Sequence, residues 1–253
     1  MEQHFANHFA ALADSYQAFR PCYPDKLYTW LAALAPHRDL VWDCACGNGQ
    51  ASVGLAAHFR QVVATDASCE QIAAAKPHPR IEYRVASAGT SGLPAGSAGL
   101  VAVAQALHWF DLPPFYSEVQ RVLCPGGVLA VWTYGTLAVT GEDVDRLIQH
   151  FYQDIVGPYW PSERAHVEDG YRSLAFPYDE LTCPKFTMET SWNLSQLLGY
   201  LRSWSASGRF ESANGFNPVD DLAHRLAPVW GDPEQCRLTT WPLSLRVGSK
   251  PGD

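Results

Sequence analysis

Apolar runs and helical stripes alternate along the first half of the chain. Short, near-continuous apolar runs fall at about 39–44, 61–65, 81–85, 99–103 and 127–132. Residues near 49–58, 69–75 and 114–123 carry helical spacing between them. Strands that are apolar on both faces belong to a parallel sheet covered on either side. The alternation therefore predicts a doubly wound α/β fold with right-handed crossovers. Ahead of the first strand, residues 5–35 read as helical, with Leu27, Trp30, Leu31 and Leu34 on one stripe. Pro21 and Pro24 split this region in two.

The second half is less regular. Val144, Leu147, Ile148, Phe151 and Ile155 share one face of a predicted helix over 142–156, with Thr140 as its N-cap. Residues 157–182 show no clean period. Phe186, Met188, Thr190 and Trp192 then alternate with polar residues, as in a strand over 185–192. A helical stretch follows from 194 to about 230. Trp241, Leu243, Leu245 and Val247 alternate in a final strand, where Pro242 suggests a bulge or a strand start. The expected organisation is N-terminal helices and an α/β core over 1–135, followed by 136–253. In that second part, 136–182 and 194–235 form a small helical and irregular cap, and 185–192 and 237–248 add the last two core strands.

The first predicted strand ends at Val41-Trp42-Asp43, and small residues follow at every second position: Ala45, Gly47 and Gly49. The next strand ends in a second carboxylate, Asp66. A turn leading directly from strand to helix needs positive φ or close backbone approach, and a Cβ obstructs both. The helix starting near Gly49 aims its free N–H groups over the turn. A strand-end carboxylate in this position suits the two hydroxyls of a ribose. Two cofactors use such a unit. The dinucleotide pattern G-x-G-x-x-G fails at its third glycine, where this chain has Ser52. Asp43 followed by alternate small residues instead resembles the nucleotide loop of class I S-adenosylmethionine (SAM) methyltransferases, with Ala45 in place of the usual first glycine.

Composition narrows the field. At 253 residues the chain can bury a full α/β core. Hydrophobic residues make up 47% and charged residues 17%, which excludes a disordered chain. The net charge of −8 argues against nonspecific nucleic-acid binding. No apolar run has the length of a membrane span, and Met1-Glu2-Gln3-His4 opens no signal-peptide pattern. Seven cysteines without metal-ligand spacing predict reduced thiols in a cytoplasmic protein, and no metal site.

Further segments carry the same resemblance. Residues 104–111, Ala-Gln-Ala-Leu-His-Trp-Phe-Asp, are similar to the segment after strand four in a methyltransferase subgroup that includes trans-aconitate methyltransferase. Residues 121–132, with Pro125-Gly126-Gly127, are similar to the approach to strand five. Tyr16, Arg20, Pro21, Tyr23 and Pro24 resemble the subgroup's segment over the cofactor. The resemblance covers about 9–135 and implies a mostly parallel seven-stranded sheet. It implies methyl transfer from SAM, leaving S-adenosylhomocysteine (SAH), to a small-molecule acceptor, with a carboxylic acid as the class it points to.

Under that reading Asp66 takes the ribose hydroxyls, and Asp43 holds the loop amides or the amino group of the methionine portion. Ala45, Gly47 and Gly49 form the loop. Ala67 and Ser68 flank the adenine, and Ser87 or backbone groups recognise it. Arg20 grips the SAM carboxylate, and Tyr16 and Tyr23 close over it or pack. Gln105 and Trp109 complete the cofactor set. His108 is the candidate catalytic residue, as base, acceptor-orienting group or cation contact; core packing is the plain alternative. Tyr159, Trp160, Arg164 and Trp204 are the candidate acceptor-binding residues, since arginines among aromatics suit a small anionic ligand. Two other functions stay open: an NAD(P)-dependent oxidoreductase, and a SAM-binding protein without turnover.

Overall fold

A computed structural model describes residues 21–251. They form two compact units. The core unit comprises 23–134, 165–186 and 243–251, and the helical unit comprises 21–22, 135–164 and 187–242. Among the described residues no helix is long and apolar enough to cross a membrane.

In the core unit, α1 (Asp25–Leu34) leads into β1 (Leu40–Cys44), α2 (Gln50–Ala56), β2 (Gln61–Asp66), α3 (Cys69–Ala73) and β3 (Ile81–Val85). Next come β4 (Ala98–Ala104), a 3-10 turn (Leu107–Trp109), α4 (Leu112–Val122) and β5 (Leu123–Tyr134). Strand order is β3-β2-β1-β4-β5, all parallel. This is the predicted doubly wound arrangement. Asp43 lies in register with Ala64 and Cys44 with Thr65, so β1 and β2 finish level and present both carboxylates at one sheet edge. The apolar strand residues account for this order: Val41, Trp42, Val62, Val63 and Leu100 to Val103 are buried on both faces. The α1 stripe buries Leu27, Tyr28, Leu31 and Ala32. Tyr28 packs so closely on α2 that a Cβ on Gly54 would lie 2.1 Å from its ring.

The last long strand, β9 (Arg237–Ser249), changes partners at Pro242. From Leu243 to Ser249 it runs antiparallel to β5, and its end also pairs β7 (Asp179–Glu180). From Arg237 to Pro242 it pairs β8 (Thr187–Trp192), and Thr239 and Thr240 also pair β6 (Ala138–Val139), both in the helical unit. Pro242 therefore sits at a switch of partners inside one continuous strand. Among the described residues there are nine strands, of which seven, the expected number, are longer than two residues.

Residues 165–182, expected in the cap, belong to the core unit. Val167 and Tyr171 are buried in its hydrophobic core, with Leu174, Phe176 and Tyr178 packed against it. The Tyr116 hydroxyl fixes this segment by donating to the Ala175 carbonyl at 2.5 Å. Its apolar residues follow no period because it is mainly irregular, with only the short α6 (Arg164–Glu168) and β7. Strand β8, expected as a core strand, joins the sheet through β9 and falls in the helical unit.

The helical unit contains α5 (Glu142–His150), continued by a π-helical stretch (Phe151–Ile155), then a 3-10 turn (Gly157–Tyr159). The predicted stretch 194–230 is three helices, α7 (Leu194–Arg202), α8 (Ser205–Asn214) and α9 (Pro218–Trp230). Gly215, at φ +82°, ends α8, and Asn217 caps α9 ahead of Pro218. The N-cap of α5 is Gly141, not Thr140, whose hydroxyl donates to the Leu238 carbonyl instead. The unit's core is aromatic: Trp192, Tyr200 and Trp241 lie 5.1 to 5.5 Å apart, and the Trp241 indole donates to the Tyr200 hydroxyl.

Candidate functional site

The turn after β1 has the conformation that its small residues predict. Ala45, Gly47 and Gly49 have φ of +56°, +56° and +91°. Ala45 pays for its Cβ in this region, where L-residues are disfavoured by roughly 1–2 kcal/mol. Gly49 is obligatory for space as well: a Cβ there would lie 2.3 Å from the Tyr83 hydroxyl. At Gly47 a Cβ would find only Gln71 Oε1, at 3.6 Å, so this point of the loop opens outward.

The two carboxylates divide the work differently from the sequence reading. Of the two roles read for Asp43, the hold on a loop amide falls to Asp66: its oxygens accept from the Gly47 N–H at 2.8 Å and, just past β2, from the Ser68 N–H at 2.9 Å. Its side chain is half-buried, leaving the remaining lone pairs for other donors. Asp43 is fully buried and accepts from the Ser52 hydroxyl with Oδ2, while Oδ1 has no partner. Burial pushes its carboxyl up to about 7, Ser52 works against that, and the Asp66 charge adds to it. Burial also raises the Cys44 and Cys46 thiols, with the two aspartates contributing. The Tyr83 hydroxyl is likewise buried without a partner and pushed up to about 12.

At the end of β4 lies Gln105, another non-glycine residue with positive φ, +58°. Its Oε1 accepts from the Thr133 hydroxyl and its amide donates to the Tyr134 carbonyl, tying β4 to β5. Three residues later, His108 Nδ1 lies 2.9 Å from the Tyr171 hydroxyl, and the imidazole packs 4.5 Å from the Trp109 ring. Ala67 and Ser87 are exposed beside the ends of β2 and β3.

Among the acceptor candidates, the helical unit brings three together. Trp160, Trp204 and Tyr152 form a triangle with ring separations of 5.5 to 5.6 Å. The Arg164 guanidinium stacks 4.6 Å over Trp160 and donates to the Tyr152 hydroxyl. The Trp160 indole N–H is buried without a partner. Tyr159 is not part of this cluster. It packs on Phe210 and, with Phe151, Phe216 and Leu222, lines an open cavity of about 790 Å³. Other arginines are engaged within their own units: Arg202 pairs with Asp220, and Arg172 donates to the Asp169 carbonyl. Tyr16 and Arg20 lie outside the described residues. Among those described, no three His, Cys, Asp or Glu side chains gather to hold a metal.

A profile described as a methyltransferase domain matches residues 42–131, which span the two-carboxylate edge and β4 to β5. A provisionally named methyltransferase of Dictyostelium discoideum is 34% identical, covering 89% of this chain and 87% of its own length. A protein of Anaeromyxobacter dehalogenans, provisionally described as a type II methyltransferase, has a solved structure that superposes with a TM-score of 0.89. It is 43% identical and covers 93% of this chain and 100% of its own. This chain belongs to the SAM-dependent methyltransferases. The identification removes the oxidoreductase reading, as the missing third glycine had suggested. A methyltransferase of Aspergillus candidus, 26% identical, covers 94% of this chain and 84% of its own.

The residues of this methyltransferase fit the family's cofactor. A buried carboxylate with an orphaned oxygen suits an ammonium group, which would restore its charge and satisfy Oδ1. The positive-φ loop gives backbone access that side chains would block.

Proposed function

We propose that this methyltransferase binds SAM at the common edge of β1, β2 and β4 and methylates a small carboxylic acid. The observation that carries the cofactor half is the unpartnered Asp43 Oδ1 beside a left-handed loop. When bound, SAM supplies an electrophilic methyl on a sulfonium, whose departure leaves a neutral thioether. Asp43 binds the ammonium. Asp66 braces the loop and accepts the ribose hydroxyls with its remaining lone pairs. Ala45, Gly47 and Gly49 let backbone approach, and Ala67, Ser87 and Trp109 border the adenosine. Gln105 acts indirectly, by fixing the exit of β4 on which His108 stands. Tyr16 and Arg20 remain candidates for the carboxylate end on the resemblance alone.

The acceptor half rests on the resemblance of residues 104–111 and 121–132 and on the donors grouped around Arg164. Trp160, Arg164 and Trp204 offer a guanidinium, an unpaired indole N–H and aromatic faces, which suit a small anion with an apolar body. Tyr159 contributes from the neighbouring cavity of the same unit. A carboxylate is already deprotonated near pH 7, so no base is required. His108 then orients the acceptor, and alignment in a dry pocket supplies most of the acceleration, about 7–11 kcal/mol at best.

The test is a size-matched panel of phenylacetate, phenylacetamide, p-cresol and benzylamine, followed by SAH release in wild type and His108→Ala. Phenylacetate should be preferred, and the variant should lose less than the roughly 100-fold lower bound for general-base catalysis. A preference for p-cresol with a much larger loss would make His108 a base and overturn the carboxylate reading. SAH or SAM binding without turnover of any methyl acceptor would favour a SAM-binding protein.

A further inference from the structure

Two non-glycine residues of the core unit adopt left-handed backbone around one side chain. Gln105 (φ +58°) precedes His108 by three residues, and Tyr171 (φ +65°) meets His108 across the fold. Bulky residues avoid this region, and where they are forced into it the surrounding structure must hold them there. Here it does. Helix α6 ends in a Schellman-type turn: the Gly170 N–H donates to Val167 and the Tyr171 N–H to His166. Gly170 passes so close to β9 that a Cβ would lie 2.8 Å from Ser244. Arg246, also on β9, donates from one nitrogen to the carbonyls of Tyr171 and Leu174, at 2.6 and 2.7 Å. The same guanidinium pairs with both carboxylate oxygens of Glu180 and stacks 4.7 Å over Phe176. The result of this bracing is a fully buried phenol whose hydroxyl reaches Nδ1 of His108 at 2.9 Å.

The direction of that hydrogen bond decides what His108 can do. A phenol O–H is a stronger donor than a neutral imidazole N–H, and an unprotonated imidazole nitrogen is a stronger acceptor than a phenol oxygen. The favoured neutral arrangement is therefore Tyr171 O–H donating to Nδ1, which leaves the ring proton on Nε2. We propose that Tyr171 is a positioning residue that fixes His108 as its Nε2–H tautomer, so that His108 donates a hydrogen bond to the methyl acceptor and does not remove a proton from it. The inference rests on the reading above that His108 faces the acceptor. It adds a residue and a tautomer to that reading, and accounts for the braced turn at 165–180.

The test uses the full chain saturated with SAH, labelled with 15N-histidine, at a pH where the imidazoles are neutral. Long-range 1H–15N correlation reads the tautomer of each ring, and His108→Gln assigns the signal. Wild type should show the Nε2–H pattern for His108, and Tyr171→Phe should convert it to a mixture. With the panel member turned over fastest, Tyr171→Phe should lower kcat by about tenfold, the loss of one oriented hydrogen bond. KM for SAM should stay within about twofold. An Nδ1–H pattern in wild type, or an unchanged pattern in Tyr171→Phe, would overturn the proposal, and the wild-type spectrum alone suffices if the variant folds poorly. The expected tautomer change with unaltered kcat in both Tyr171→Phe and His108→Ala would instead overturn the placement of His108 at the acceptor.

Discussion

Asp43 combines a fully buried carboxyl with one oxygen bonded to Ser52 and one without a partner. Its folded pKa, about 7, lies above its ordinary value of 3.8. Between those values the folded state keeps a proton that the unfolded state has released. Ligand-free stability therefore falls as pH rises from about 4 to 7, and Asp43→Asn should flatten that slope in denaturant titrations. Binding has the opposite dependence. A ligand ammonium favours the charged carboxylate, so SAH affinity should rise by about tenfold from pH 6 to pH 8 in wild type and stay flat in Asp43→Asn. Calorimetry showing pH-independent wild-type affinity would remove the ammonium from Asp43. This residue was legible in the sequence because strand end, turn and small residues are all local signals. Tyr171 was not. It meets His108 across 63 positions, from a segment without period, and a buried tyrosine is ordinarily packing.

At the scale of elements, the β1–α2 turn separates two glycine roles that spacing alone cannot distinguish. Gly47→Val should abolish SAH binding and cost stability through its strained φ of +56°, at least roughly 1–2 kcal/mol, but without a clash, because the added atoms project from the open side of the loop. Gly49→Ala should unfold the protein more readily, because its Cβ meets Tyr83. Thermal melts beside SAH titrations distinguish the two, and the reverse pattern would contradict the loop's orientation. Helix α4 has its own acid signature. Glu118 accepts from the Ser91 N–H and hydroxyl and from Arg121, and the Arg121 pairing, with Ser91, holds its carboxyl down at about 2. Its folded pKa lies below the ordinary 4.5, so its stabilisation is complete above that value and disappears as pH falls towards 2. Glu118→Gln should melt earlier at pH 7 and show a shallower loss over that acid range. Strands β1, β2, β4 and β5 were readable because burial on both faces makes them nearly continuously apolar, whereas β3, at the end of the strand order, alternates and has no fully buried residue. The three helices of 194–230 were not separated, since Gly215 and Pro218 are weak breaks in a stretch that is helical on either side.

Across the whole molecule, chain order and spatial unit part company. Residues 165–186 return to the core unit after an excursion of about thirty residues, and β9 serves both units on either side of Pro242. A period-two pattern predicts a strand but not its partner, so the sequence left open that β8 pairs β9 ahead of Pro242, in the helical unit. The feature that identified the chain, two carboxylates flanking a small-residue loop, survives that rearrangement because it lies wholly within 40–66. Under the proposed function this edge binds SAM, with Asp66 both bracing Gly47 and holding the ribose. Calorimetric titration of SAH into wild type and Asp66→Ala tests it most directly, with NADH as competitor. One site per chain is expected, indifferent to NADH, with an affinity loss in the folded variant of about 1.5–3 kcal/mol, roughly ten- to 150-fold. Undiminished SAH affinity in a folded Asp66→Ala protein, or displacement of SAH by NADH at comparable concentration, would contradict it.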